Sequence, residues 1–423
     1  MKVQQVFTPN DTPTVTYVDR SEHKLEQTLR DHFDTPKIVV SISGPSKSGK
    51  TVLIRKVVPE DTLITVAGAG IESSDHLWDR VLGWMGAPSE RTVTQQSNTQ
   101  ANIAGEAAGN AGIPFVAQGE AKASGGLSHS RGSEESKTYL RRGADQVIKE
   151  ISNSSFVVFI DDFHYIKEEL REEIGKEIKV AAENGVKIFT ASVPHRADDV
   201  VRSNTELRGR VAAVDLAFWS ENELKQIANK GFAALNVDLA PAISKRLAEE
   251  AFGSPQLMQA ICLNLCYVLG IRETLPEHVR IDVSPDQLEE TLLRTSTFTD
   301  FSKMVLALHT GPRTRGTERK EHTFRDGTKG DVYRSILLSV KSDPAKLSLS
   351  YEDILNRVRD VSIGEAPVGS SITSALEQMA FIATDLQPTN SPLAWDGDNL
   401  DITDPYFLFF VRCSAKLSDI ADT

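Results

Sequence analysis

Residues Gly44-Pro45-Ser46-Lys47-Ser48-Gly49-Lys50-Thr51 match G-x-x-x-x-G-K-[ST] at every fixed position. Each residue type has a physical task there. The glycines let the backbone curl so that its N–H groups face an anion. The helix expected to begin at the loop's end adds a favourable dipole. Lys50 is placed to neutralise the β- and γ-phosphates of a nucleotide, and the Thr51 hydroxyl to ligate Mg²⁺, with Val52 continuing into the helix. The pattern therefore predicts a cradle for ATP and Mg²⁺. A second chemical group lies far downstream. Phe156-Val-Val-Phe-Ile160 is an apolar run ending in Asp161-Asp162. Asp161 is expected to hold Mg²⁺ through water and Asp162 to orient or deprotonate the attacking water. The alternative is that the two acids merely cap a helix near Phe163.

The elements that would position these groups alternate. Lys37–Ile42, Thr62–Val66, Ser154–Ile160, Gly185–Val193 and Val211–Phe218 contain short apolar, β-branched runs suited to buried parallel strands. Helical spacing separates them, as in Thr51–Val58, stopped by Pro59, and Ser74–Met85. The expectation is an α/β fold with a parallel sheet covered on both faces. Ser220 and Glu223 form a capping-box signal that opens a helical region. The predicted boundaries are a lead-in at 1–36, a nucleotide-binding core at 37–218, a helical lid at 219–275 and a C-terminal domain at 276–423.

An insertion, 93–133, interrupts the core. From Ser97 to Ser130 small residues alternate with polar ones, with a turn near Ile113-Pro114. That period of two predicts a long β-hairpin with one small apolar face. A disordered Gly/Ser linker is the competing reading. Each arm exceeds the roughly 9–11 residues with which a strand crosses a bilayer. Its Ala/Gly face gains little from lipid, however, so sheet packing in an oligomer is favoured over a membrane role.

Bulk properties narrow the partners. The 423 residues carry a net charge of −12 and a pI near 5.4, which disfavours a nucleic-acid binder unless a local patch serves. The densest basic stretch, Arg313 to Lys329, is diluted by Glu318, Glu321 and Asp326 and reads as a solvated loop. No run of about eighteen apolar residues is present. The polar N-terminus lacks the apolar centre of a signal peptide, so a cytoplasmic location is expected. Three cysteines argue against a disulfide framework. Cys262 and Cys266 lie one helical turn apart in an apolar run, which favours core packing over a metal site.

With these residues in hand, the chain resembles signal-transduction ATPases of the STAND class and their AAA+ relatives with an origin-recognition-like core. Tyr17-Val18-Asp19-Arg20 resembles the short element that packs on adenine, with Asp19 where that element has glycine. Lys187–Ser192 falls where such proteins place the sensor-1 strand, and the resemblance makes Ser192 or Thr190 the group near the γ-phosphate. Arg208 and Arg210 precede the fifth strand, where relatives carry an arginine finger; a plain surface role competes. Gly253-Ser254-Pro255 is similar to the G-x-P element of the lid, putting Pro255 near the nucleotide, against the reading of a simple helix start. Asp401–Phe410 resembles the ending of a C-terminal winged-helix domain, with helices from Val332–Val340, Ser350–Val358 and Ser371–Met379 and a wing near Ala383–Trp395.

The resemblance implies an ATP-hydrolysing switch that controls homo-oligomer assembly, in bacterial (including antiviral) defence or signalling. An arginine from a neighbouring protomer, or a further protein partner, would complete the machine. The rival is a DNA-associated loader similar to transposition or replication-initiation ATPases. The third reading is membrane activity through the hairpin.

Overall fold

The computed structural model describes residues 1–86, 90–94, 136–140, 143–193, 207, 209–313 and 319–420. The chain divides into two compact units. One comprises Gln27–Ser43 and Ile54–Val214; the other comprises Met1–Glu26, Gly44–Leu53 and Asp215–Thr423.

The first unit holds strands β1 (Val39–Ser43), β2 (Leu63–Ala67), β3 (Glu90–Thr94), β4 (Ser136–Leu140), β5 (Val157–Asp161), β6 (Lys187–Ser192) and β7 (Val211–Asp215). Five of them form one sheet in the order β2-β5-β6-β1-β7. The pairs β2–β5, β5–β6 and β6–β1 are parallel. β1 is buried along its whole length, as a parallel strand covered on both faces must be. Leu77, Trp78 and Val81 of the helix Ser74–Trp84 share a core with Ile174 and Ile178 of the helix Glu168–Glu183. Glu177 joins these two helices by accepting from the Trp78 indole (2.6 Å) and from the Ser74 hydroxyl. This is the α/β architecture of P-loop NTPases, as expected.

β3 and β4 pair antiparallel, Glu90 opposite Leu140 and Thr94 opposite Ser136, so both ends of the insertion enter side by side. The hairpin expected over Ser97–Ser130 lies outside the described residues.

The second unit is mostly helical. Its central helix, Pro255–Val268, is buried without interruption from Leu257 to Cys266, which explains its apolar composition on every face. Cys262 and Cys266 are both in that core, and burial pushes the Cys266 thiol up to about 12. Ser220 and Glu223 close the capping box that opens the helix Glu221–Ala234. Of the lead-in expected at 1–36, residues 1–26 belong to this unit and the rest to the sheet unit. Phe7 fills a notch at Gly231, where a Cβ would come within 2.2 Å of its ring. Nearer the C-terminus, the helices Val332–Lys341, Tyr351–Val361 and Gly369–Leu386 accompany a three-stranded antiparallel sheet of Ser348–Ser350, Asn399–Ile402 and Leu393–Trp395. The hairpin lies later than the wing expected at Ala383–Trp395. Buried Ile372, Leu376, Met379 and Ala383 carry the helix through to Leu386. The turn instead falls at Asp396-Gly397-Asp398, where Gly397 has φ +106° and Asp396 accepts from the amides of Asp398 and Asn399.

Glu250 ties this unit together. Its side chain is only 3% exposed, and it pairs with Arg246 at 2.6 Å and Arg412 at 3.0 Å. Glu250→Gln leaves two guanidinium groups short of a counter-charge. The expected cost is about 3–5 kcal/mol, read as a lower urea midpoint. An unchanged midpoint would mean that Asp343, 2.7 Å from Arg412, suffices alone.

Candidate nucleotide-binding site

The loop Gly44–Thr51 leaves the end of β1 and runs into the helix Lys50–Val57. Gly44 must be glycine because a Cβ there would lie 2.8 Å from the Leu216 Cβ and 2.9 Å from its carbonyl oxygen. Gly49 is required for another reason: it has open space around it but φ +95°. Lys47 also takes a left-handed conformation, φ +62°. The Lys50 ammonium is buried and donates to the carbonyls of Gly44 (2.8 Å) and Pro45 (2.9 Å), folding back along the loop. The Ser48 hydroxyl is buried with no hydrogen-bond partner among the described residues. A tight glycine turn, a helix start, a lysine and an orphaned hydroxyl in one loop fit a phosphate chain. Thr51, at the start of the helix, fits a Mg²⁺ ligand by its chemistry.

Trp219 organises the surroundings of this loop. Its indole donates to the Ser48 carbonyl at 2.9 Å, and the Arg20 guanidinium lies over its ring at 5.2 Å. Its amide donates to the Gly253 carbonyl at 3.1 Å. Three elements expected near the nucleotide therefore meet at one residue: the loop and the Tyr17–Arg20 segment at its side chain, and Gly253-Ser254-Pro255 at its backbone. Arg20 is itself held by Glu223 at 2.6 Å. Val18 is buried, and the Tyr17 carbonyl accepts from Lys230 at 2.7 Å. Pro255 is the first residue of its helix, and Ser254 caps it by accepting from the Leu257 amide. A Cβ on Gly253 would come within 2.8 Å of Phe218, so the turn is shaped to seat this linker.

The loop has a second set of neighbours that the motif does not mark. Lys47 lies 3.5 Å from a carboxylate oxygen of Asp404 and 3.9 Å from the centre of the Tyr406 ring.

The acids belong to the sheet unit. Asp161 ends β5, and one of its carboxylate oxygens accepts from the Asp162 amide at 3.0 Å. Asp162 is left-handed, with φ 53° and ψ 46°, a sparsely populated conformation that concentrates at functional sites. Gly68, also missed, enforces this turn. Its amide donates to the Asp161 carbonyl at 2.7 Å, and a Cβ there would lie 2.5 Å from the Asp162 carbonyl oxygen. Arg171 braces the following residues by donating to the carbonyls of His164 and Ile166, each at 2.8 Å. Ser192 ends β6 opposite Ser43, the residue before the loop, and its hydroxyl is buried with no partner among the described residues. Thr190 lies two residues further back, opposite Ser41.

Arg210 is elsewhere. Its carbonyl accepts from the amide of Val39, the first residue of β1, whereas the loop follows the last, Ser43. The four steps from Val39 to Ser43 separate those ends by about 13 Å. Its side chain makes an exposed ion pair with Glu183 at 3.2 Å. Arg208 lies outside the described residues.

No helix among the described residues is long and apolar enough to cross a membrane. No protein-family model and no curated protein matches the sequence. Solved structures do show likeness. The ORC2 protein of Aeropyrum pernix, solved as ADPNP–ADP complexes, is 12% identical, with 99% of each chain covered and a TM-score of 0.48. The Walker-type ATPase of Pyrococcus abyssi is 12% identical over 94% of this chain and 99% of its own, with a TM-score of 0.49. Cdc6p from Pyrobaculum aerophilum is 12% identical over 99% and 98%, with a TM-score of 0.42.

Proposed function

We propose that the protein is an ATP-binding and ATP-hydrolysing switch whose nucleotide state controls assembly with further copies of itself. The observation that carries this reading is the loop Gly44–Thr51, with Gly44 forced by close approach, Gly49 by its φ, and Lys50 turned along the loop. Lys50 would neutralise the β/γ-phosphates, and Thr51 and Asp161 would hold Mg²⁺. That ion would supply charge neutralisation between the phosphates. Asp162 would take the proton of the attacking water, and Ser192 would meet the γ-phosphate. Arg210 lies toward the opposite end of β1 from the loop of its own chain, which favours action on a neighbouring protomer's nucleotide. Tyr17, Val18 and Arg20 would flank the base, with Pro255 nearby.

A DNA-associated role is weaker. The helix Gly369–Leu386, which a winged-helix domain would present to DNA, carries Glu377 and Asp385 and no lysine or arginine. Phosphate contacts of the usual cationic kind have no donor there. A defence or signalling setting is the biological reading that goes with an assembly switch.

The test is to titrate the protein with a non-hydrolysable ATP analogue and Mg²⁺ while measuring mass by light scattering. Binding with a rise in mass is expected. Binding without any change in mass overturns the assembly role, and absence of binding overturns the whole reading.

A further inference from the structure

The phosphate loop packs with the C-terminal part of the chain: Gly44–Leu53 belongs to the same compact unit as Asp215–Thr423. At the point of contact, one cation meets an acid and an aromatic ring. Lys47, from the middle of the loop, lies 3.5 Å from Asp404 and 3.9 Å from the Tyr406 ring centre. Asp404 is nine-tenths buried and divides its two oxygens. One accepts from the Tyr406 amide at 2.9 Å, capping the helix Pro405–Cys413, and the other faces Lys47. Tyr406 is buried as well, with a face left for the ammonium. A cation held over an aromatic face and beside a carboxylate is attracted by both.

We propose that Asp404 and Tyr406 regulate the phosphate loop by competing with the nucleotide's terminal phosphate for Lys47. The proposal rests on the ATP-binding reading above. Asp404 and a triphosphate are two anions drawn to one short loop, and Lys47 has one ammonium. Whatever Asp404 takes from phosphate binding, bound phosphate takes from the contact between Lys47 and the helix Pro405–Cys413, because coupling between two sites is reciprocal. The third phosphate adds charge at the loop, so ATP works against Asp404 more than ADP does. The start of Pro405–Cys413 thereby loosens more with ATP than with ADP. The residues that regulate the loop thus lie more than 350 residues from it in the chain.

The variant that isolates the charge is Asp404→Asn, because asparagine keeps the helix cap. It should bind the non-hydrolysable ATP analogue about fivefold tighter or more, with a smaller change for ADP. Tyr406→Leu, which removes the ring beneath Lys47, should shift the ATP-to-ADP ratio in the same direction. In a Lys47→Met background, Asp404→Asn should have no further effect, since the shared cation is gone. In the wild type, hydrogen exchange at the Phe407 and Leu408 amides should quicken when the ATP analogue and Mg²⁺ are added. An unchanged ATP-to-ADP ratio in Asp404→Asn, or exchange at those amides that is indifferent to nucleotide, overturns the proposal. Failure of the ATP reading would show separately and first, as absence of analogue binding to the wild type.

Discussion

Lys50→Ala is expected to abolish tight ATP binding. In the structure the Lys50 ammonium is buried and already turned along the loop, donating to the carbonyls of Gly44 and Pro45. It needs only to exchange those neutral acceptors for phosphate oxygens. Charge-assisted bonds of this kind are about twice as strong as neutral ones. Alanine leaves the phosphate charge in the cradle without its main counter-charge, a loss of about 3 kcal/mol or more, hence a hundredfold or more in affinity. The glycine geometry does not depend on this side chain, since Gly44 is set by Leu216 and Gly49 by its own φ. The variant should therefore fold with an unchanged circular dichroism spectrum while losing the calorimetric signal of the ATP analogue. Affinity within about twofold of the wild type overturns the assignment of the loop.

What the sequence made legible shares one property: the signal is local. Gly44–Thr51 is read from fixed spacing because the turn needs glycine and the phosphates need lysine within a few residues. β1 and β5 are read from short runs rich in β-branched and apolar residues, which doubly covered strands carry. The box of Ser220 and Glu223 is read because both partners lie within one helical turn. What was missed depends on contacts between residues far apart in the chain. Trp219 meets Ser48 and Arg20, and Asp404 meets Lys47. No periodicity reports such pairs. Gly68 was the more readable omission, since a glycine just after a buried strand suggests close backbone approach. The hairpin around Asp396-Gly397-Asp398 was also readable, because that triplet is a turn signal between two strand-forming runs. Arg210 directly precedes the last strand of the sheet, as read, and its carbonyl pairs with the first residue of β1.

Asp162→Asn should separate binding from chemistry. Asparagine is close to isosteric and is one of the few residues that tolerate the left-handed conformation Asp162 adopts, φ 53° and ψ 46°. The turn imposed by Gly68 should therefore survive, as should the Asp161 carboxylate assigned to Mg²⁺. What is lost is the oxygen that can accept a proton from water. ATP and Mg²⁺ should bind as in the wild type, and phosphate release in a single turnover should slow by about 10²–10⁴-fold. Asp161→Asn should differ by weakening the Mg²⁺ dependence of binding itself. Mixing Asp162→Asn with Arg210→Ala then addresses where the arginine acts. If Arg210 serves the neighbouring protomer, a mixed interface pairs an intact Asp162 with an intact Arg210, and part of the activity returns. If Arg210 only answers Glu183 on the surface, its variant is active alone and mixing adds nothing. Hydrolysis by Asp162→Asn at the wild-type rate would remove it as the base and leave its strained turn without a catalytic explanation.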